Sequence, residues 1–154
     1  MASKENINAD QEEQLQFSSF YLDDTLCGIN IEQVQEINEH LQITKVPTAP
    51  DYVSGIMNLR GQIVTIINLS MKIGLTPSVI GATSRVVITR SKGEFIGLLV
   101  DKIAEVVNTT QKKIAKSPAN IKGAQGKFFK GIFHTKENEL MALLNIDVVL
   151  DDEN

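Results

Sequence analysis

Short runs of hydrophobic residues alternate with polar breaks along the chain, and one pair of runs is the clearest. Residues 53–57 and 62–67, both containing β-branched residues, flank the polar centre at residues 58–61, Asn-Leu-Arg-Gly. Such runs on either side of a glycine-containing break predict a β-hairpin. Gly61 is expected to supply the positive φ that a tight reversal needs. The pattern therefore predicts a rigid hairpin with a single cation, Arg60, at its tip.

The rest of the chain shows the same kind of pattern. Further hairpins are predicted from residues 15–22 with 26–30, 84–90 with 94–100, and 128–135 with 139–144. Residues 31–37 and 101–107 fit either a helical spacing or a strand, and the sequence leaves both readings open. Short helical turns are predicted at residues 70–74 and 145–150.

The two halves of the chain resemble each other, with a constant shift of 69 residues over the best-matched stretch. Residues 26–37 align with residues 95–106, with Gly28 on Gly97, acid on acid and matching apolar positions. A half of about 70 residues has a thin core when alone, so the halves are expected to pack on each other. Short strands separated by turns favour small barrels, which remove their own sheet edges. The sequence thus predicts a duplicated, mainly β fold.

Composition agrees with this picture and excludes several classes of protein. Of the 154 residues, 42% are hydrophobic and 22% are charged, which excludes a largely disordered chain. A net charge of −4 gives no general attraction for nucleic acid. No apolar run approaches the ~20 residues that span a bilayer, and the N-terminus lacks the apolar core of a secretory signal. A cytoplasmic protein without membrane insertion is expected.

The usual signatures of chemistry are missing from the sequence. No phosphate-binding loop, zinc motif or hydrolase nucleophile motif is present. The single cysteine, Cys27, lies in an apolar context and is expected to be a buried thiol. We therefore predict no catalytic residues, no metal and no cofactor. An enzyme that uses a groove between the two modules remains the alternative, because catalytic groups can come together in space.

Two charged residues stand out from the pattern. Glu36 interrupts the apolar set of Val34 and Ile37, and Arg60 lies at the predicted hairpin tip. One reading is that each residue simply occupies a solvated position. Another is an ion pair between them, which would contribute little to stability if exposed. The last is that both border a protein interface, where arginine is enriched because its flat fork binds carboxylates and carbonyls.

Three motifs in the chain resemble the CheW family of bacterial chemotaxis adaptors. They are residues 28–37, GINIEQVQEI, residues 43–64, ITKVPTAPDYVSGIMNLRGQIV, and residues 97–106, GLLVDKIAEV. The Gly-Ile-x-Asn-Leu-Arg-Gly hairpin is the most specific part, and the resemblance covers residues 15–150. Residues 65–69, TIINL, depart from the family, which often has proline and aspartate there. This departure bears more on which residue matches which family position than on the implied function.

The resemblance implies two packed five-stranded SH3-like β-barrels with a few short helices. Within a single CheW-like domain at residues 15–150, we expect a first barrel over about 15–75 with a closing helix at 145–150, and a second barrel over about 84–144. The predicted ends are a flexible tail at residues 1–14 and an acidic end at residues 151–154.

The resemblance also implies a function. CheW-like adaptors are non-catalytic and couple transmembrane, methyl-accepting chemoreceptors to the regulatory domain of the histidine kinase CheA, at membrane-associated arrays. Paralogues that serve pilus-motility or other chemosensory arrays share the motif and remain an alternative. The positions expected in or near the groove for the receptor's helical tip are Val34, Glu36, Gly55, Asn58, Arg60 and Val100. The positions suggested for kinase contact are Ile29, Ile31, Leu41 and Val46.

The repeat bears on the role of Arg60. The corresponding hairpin of the second half has Thr-Lys-Glu-Asn at residues 135–138, where the first half has Asn-Leu-Arg-Gly. A tip that only has to be soluble would be served by either sequence. Because only the first half carries the family's motif, the comparison favours a contact role for Arg60.

Overall fold

The computed structural model describes residues 13–151, so the predicted tail lies outside the described residues except for its last two positions. The strands are β1 (Gln14–Leu22), β2 (Thr25–Asn30), β3 (Val34–Asn38), β4 (Val53–Leu59), β5 (Gln62–Asn68), β6 (Arg85–Ser91), β7 (Glu94–Val100), β8 (Lys102–Thr110), β9 (Asn120–Ile121), β10 (Ala124–Gln125), β11 (Phe129–His134) and β12 (Leu140–Leu144). The helices are α1 (Leu69–Lys72) and α2 (Ile146–Val149), with 3-10 turns at Ile31–Gln33, Gln111–Lys113 and Gly126–Phe128.

The predicted hairpins are confirmed, and the two ambiguous stretches are settled. The first begins as the 3-10 turn Ile31–Gln33, where the Asn30 side chain accepts a hydrogen bond from the Glu32 N–H, and continues as strand β3. The second lies mostly in strand β8. Both helices begin after an asparagine, Asn68 or Asn145, whose side chain accepts a hydrogen bond from a backbone N–H of the helix. Asparagine is a preferred residue at this position because its side chain satisfies an otherwise unpaired N–H.

The strands form two five-stranded sheets and a small two-stranded one. The first sheet has the order β11-β12-β2-β1-β8, and the second has the order β3-β6-β7-β5-β4. Neighbouring strands are antiparallel except in two places, β12 beside β2 and β5 beside β7, which are parallel. The two sheets have the same layout, as the duplicated sequence predicts.

The boundary predicted between the two modules needs correction, because each sheet takes strands from both halves. The leading hairpin β1–β2 pairs with β8 and β12 of the second half, and the hairpin β6–β7 pairs with β3 and β5 of the first half. Residues 15–75 and 84–144 therefore do not form separate sheets. The physical reason is the parallel pairing, in which Leu26 lies beside Met141 and Ile96 beside Thr65.

The buried apolar side chains form three clusters, one of which joins the two sheets. The largest lies between them and combines first-sheet residues such as Phe20 and Ile29 with second-sheet residues such as Leu98 and Val100. The other two clusters each belong to one sheet. Because the largest cluster is shared, neither sheet buries its apolar face without the other.

In each sheet, one isolated β-bridge connects the segment that follows one edge strand to the other edge strand. In the second sheet, Thr44, which follows edge strand β3, pairs with Ile56 of the other edge strand, β4. In the first sheet, Ala115, which follows edge strand β8, pairs with Ile132 of the other edge strand, β11. The curvature that the predicted barrels require is therefore present at equivalent places in both sheets.

Candidate protein-contact site

The tip of the β4–β5 hairpin is a two-residue turn. Leu59 pairs with Gln62, so Arg60 and Gly61 are the only residues between the strands. Both have positive φ, 49° for Arg60 and 87° for Gly61, as in a type I′ turn. The Asn58 side chain accepts a hydrogen bond of 2.8 Å from the Gly61 N–H and holds the turn. The sequence predicted positive φ for Gly61, whereas the structure places Arg60 in this region too.

Arg60 is paired with Glu36 of strand β3. Arg60 Nη2 donates to Glu36 Oε2 over 2.8 Å, and Nη1 donates to Oε1 over 3.3 Å. The side chain of Arg60 is still 70% exposed, against 27% for Glu36. The hydrogen bond and then the charge of Glu36 raise the pKa of Arg60, so the guanidinium stays charged. The ion pair that the sequence left as one reading is present, and it orients the arginine without covering it.

Gly55 has a structural reason to be glycine. It lies at an irregularity of strand β4 between Val53 and Ile56, with φ at +148°. A Cβ atom at this position would lie 2.2 Å from the carbonyl oxygen of Thr44. Gly55 therefore allows the close approach of the segment that follows β3 to edge strand β4, and thereby positions the hairpin.

The remaining predicted positions fall into two groups. Val100 and Ile29 are fully buried in the central cluster, so neither side chain is available to a partner, and both predictions as contact residues are corrected. Their apolar character serves the packing between the sheets. The other positions are half-buried and stay candidates: Val34 for the receptor, and Ile31, Leu41 and Val46 for the kinase.

Sequence reasoning missed two exposed apolar side chains, one on strand β5 and one on strand β3. Ile63 is 63% exposed and pairs with Asn58 across the hairpin. Ile37 is 42% exposed and follows Glu36 on strand β3. The alternation of inward and outward positions along β5, where Val64 is buried, would have identified Ile63 as outward-facing. Strands β5 and β3 therefore each present one apolar side chain to solvent.

The described residues offer little reactive chemistry. Burial raises the pKa of the Cys27 thiol to about 12, so the thiol stays protonated. Among residues 13–151, no group of three or more His, Cys, Asp or Glu side chains is arranged to hold a metal ion. In the same range, no helix has the length and apolar character needed to cross a membrane.

Comparison with known proteins identifies relatives over nearly the whole chain. The pattern of the CheW-like domain family matches residues 16–154. The chemotaxis protein CheW of Treponema pallidum (strain Nichols) is 31% identical over 136 residues, which are 86% of this chain and 80% of that protein. The chemotaxis protein CheW of Helicobacter pylori (strain ATCC 700392 / 26695) is 30% identical over 150 residues, which are 97% and 89% of the two chains.

A solved structure has the same fold. The crystal structure of the scaffolding protein TtCheW from Thermoanaerobacter tengcongensis superimposes with a TM-score of 0.81. The match covers 89% of this chain and 88% of that one at 28% identity.

Proposed function

The chain belongs to the CheW-like domain family, and from this premise we propose that it is the adaptor that couples transmembrane chemoreceptors to a CheA-type histidine kinase. It is a chemotaxis scaffold and not an enzyme, in line with its relatives. The proposed partners are the cytoplasmic tip of a methyl-accepting chemoreceptor and the regulatory domain of the kinase. The proposed location is the cytoplasm, at receptor arrays on the membrane.

The observation that carries the receptor contact is the presentation of Arg60. Its backbone is fixed by the turn, and its guanidinium is oriented by the two hydrogen bonds that it donates to the Glu36 carboxylate. A charged side chain held in place loses less conformational entropy on binding than a free one. Arginine is also enriched at protein-contact hot spots. We assign Arg60 to the receptor contact, with Val34 and Glu36 beside it.

The kinase contact is assigned to the half-buried apolar positions Ile31, Leu41 and Val46. Leu41 packs against the core cluster of the second sheet, so part of this surface is fixed by the fold. A surface of this kind suits a partner that packs through apolar side chains, as in the cores of protein interfaces.

Co-purification with the native receptor's cytoplasmic domain and the kinase tests the proposal. The native chain is expected to retain both partners and to raise kinase activity in the presence of receptor. Arg60→Glu is expected to lose the receptor while keeping its fold, because a carboxylate replaces the presented cation. Lys136→Glu is the matched control, since it reverses an exposed cation at the corresponding hairpin tip of the second half. If Arg60→Glu binds receptor as well as Lys136→Glu does, Arg60 is not a receptor contact.

A further inference from the structure

The ion pair with Glu36 occupies one end of the Arg60 guanidinium. Nη1 donates to Oε1 over 3.3 Å and Nη2 donates to Oε2 over 2.8 Å, so each terminal nitrogen meets its own carboxylate oxygen. A guanidinium carries five N–H donors in one plane, and this end-on arrangement uses two of them. The Nε–H and an outer Nη–H point out from the side of the same plane. We call these two donors the side edge of Arg60.

The side edge has no acceptor within the part of the chain that the structure describes. Among residues 13–151, Glu36 is the only residue that accepts a hydrogen bond from the Arg60 side chain. The side chain of Arg60 is largely exposed, so the side edge is open to solvent. It is therefore available to an acceptor from another molecule.

The fold sets the direction of the side edge. The Asn58 side chain accepts a 2.8 Å hydrogen bond from the Gly61 N–H and holds the turn that carries Arg60. Glu36 is half-buried in strand β3, where pairing with β6 places it opposite Ile88. A two-point pair with a carboxylate that is held by a sheet fixes the plane of the guanidinium as well as its position. Donors that are oriented in advance need less ordering when a partner binds.

The other two of the three arginines lack this combination. Arg85 Nη1 donates to two backbone carbonyl oxygens over 3.2 and 2.7 Å, and its Nη2 lies 3.7 Å from Glu39 Oε2. Arg90 is exposed and has no ion pair or side-chain hydrogen bond with residues 13–151. The chain thus occupies one of these guanidinium groups and does not orient the other. Only Arg60 is both oriented by the chain and left with an open edge.

The second half of the chain shows that the fold does not require an arginine at such a tip. Lys136 lies at the corresponding tip, and Glu105 corresponds to Glu36 at the shift of 69 residues. The first sheet still has the same edge bridge as the second, between Ala115 and Ile132. An ammonium has three donors on a single nitrogen and does not present two parallel N–H groups to each of two carboxylates. A second acceptor therefore accounts for the arginine of the first half.

We propose that the receptor contacts Arg60 through a carboxylate, which accepts hydrogen bonds from the Nε–H and the outer Nη–H of the side edge. The two oxygens of a carboxylate match two parallel donors, whereas a carbonyl or an amide group offers one oxygen. The guanidinium lies between the incoming carboxylate and Glu36, so the attraction acts over a shorter distance than the repulsion. This inference rests on the proposed function, because it names the chemistry of the receptor at the same site.

Receptor binding by conservative variants tests the role of the side edge. The cytoplasmic domain of the native receptor is titrated calorimetrically into the full-length protein. Arg60→Lys keeps the charge but lacks the planar fork, and it is expected to weaken binding at least about ten-fold while keeping the native unfolding midpoint. Arg90→Lys is the matched control, since it makes the same change at an exposed arginine without a partner among residues 13–151, and it is expected to bind like the native protein.

The outcomes separate this inference from the proposed function. Native affinity of Arg60→Lys, together with loss of binding by Arg60→Glu, would overturn the carboxylate contact and leave Arg60 as a simple charge contact. Native affinity of both variants would overturn the receptor contact at Arg60 itself.

The Nε–H signals report on the side edge directly. Labelling with ¹⁵N-arginine gives three such signals, and the Arg60 signal is identified by its absence from Arg60→Lys. On receptor binding it is expected to shift downfield and to exchange more slowly with water, while the signals of Arg85 and Arg90 keep their positions. An unchanged Arg60 Nε–H signal in the complex would overturn the proposal.

A double-mutant cycle identifies the carboxylate. Each exposed aspartate or glutamate at the receptor's cytoplasmic tip is replaced by its amide, and binding is measured with the native protein and with Arg60→Lys. At one position, the replacement is expected to weaken native binding at least about five-fold and to change binding of Arg60→Lys less than about two-fold, because that contact is already lost. Additive effects at every acidic position would show that the acceptor is not a carboxylate.

Discussion

Arg60 and Glu36 form a two-point ion pair between the β4–β5 tip and strand β3, with Nη–Oε distances of 2.8 and 3.3 Å. Strands β3 and β4 are the two edges of the second sheet, so the pair connects the ends of the sheet. The arginine remains largely exposed. The pair is thus placed to direct a side chain outwards, and exposed ion pairs of this kind contribute little to stability.

Exchanging the two charges distinguishes a requirement for the ion pair from a requirement for the exposed cation. We expect the double variant Glu36→Arg with Arg60→Glu to re-form the pair and to keep the native unfolding midpoint in urea. Receptor retention is expected to be lost, because the exposed tip now carries a carboxylate. Retention at the native level by this double variant would show that the pair itself, and not the arginine, is what the receptor requires.

A methyl group at Gly55 is expected to destabilise the fold strongly. Gly55→Ala places Cβ 2.2 Å from a backbone oxygen at a positive φ, and we expect a loss of about 3 kcal/mol or more in the free energy of unfolding. Gly61→Ala is the matched control, because it also has positive φ but no neighbouring atom within 4 Å. A loss of about 1–2 kcal/mol is expected there, from backbone strain alone. Equal losses in urea denaturation would contradict the role given to the Thr44 contact.

The exchange of strands between the halves predicts that neither half folds alone. A fragment of residues 13–75 has β5 without its neighbour β7, and β2 without β12. A fragment of residues 84–151 has the complementary defects. We expect each fragment to lack the near-ultraviolet circular dichroism of packed side chains, and an equimolar mixture to regain it. A separately folded, cooperative fragment would restore the module boundary predicted from the sequence.

The thiol of Cys27 is expected to be inert in the folded protein. Burial raises its pKa from 9.0 to about 12, and only the thiolate is nucleophilic. Ellman's reagent at pH 8 should therefore leave the native protein unmodified and should titrate one thiol per chain in guanidinium chloride. Rapid modification without denaturant would show that the site opens readily.

The same raised pKa predicts a dependence of stability on pH. Above pH 9 the unfolded chain loses the thiol proton while the folded chain keeps it until about pH 12, so this contribution is intact below pH 9 and falls as pH rises. Relative to Cys27→Ala, the native protein should lose up to about 1.4 kcal/mol of unfolding free energy per pH unit in that window. Parallel pH profiles of the two proteins would contradict the assigned burial.

Local structure was predictable because it depends on neighbouring residues. The hairpin tip at Arg60 and Gly61, the turns and the asparagine-capped helices follow from short-range patterns. The resemblance of residues 28–37, 43–64 and 97–106 gave the family that the comparisons confirm. The exposed Ile63 was within reach of the same reasoning, since alternation along a strand places it outwards.

By itself, the sequence determined a duplicated, mainly β chain with an arginine at a tight turn, because hydrophobic periodicity and turn residues act over a few positions. The tertiary structure decided two things. Strands of each half pair in the sheet of the other, and Val100 and Ile29 are buried between the sheets. Both depend on contacts between residues far apart in the chain, and periodicity within a segment does not record which distant segment it meets.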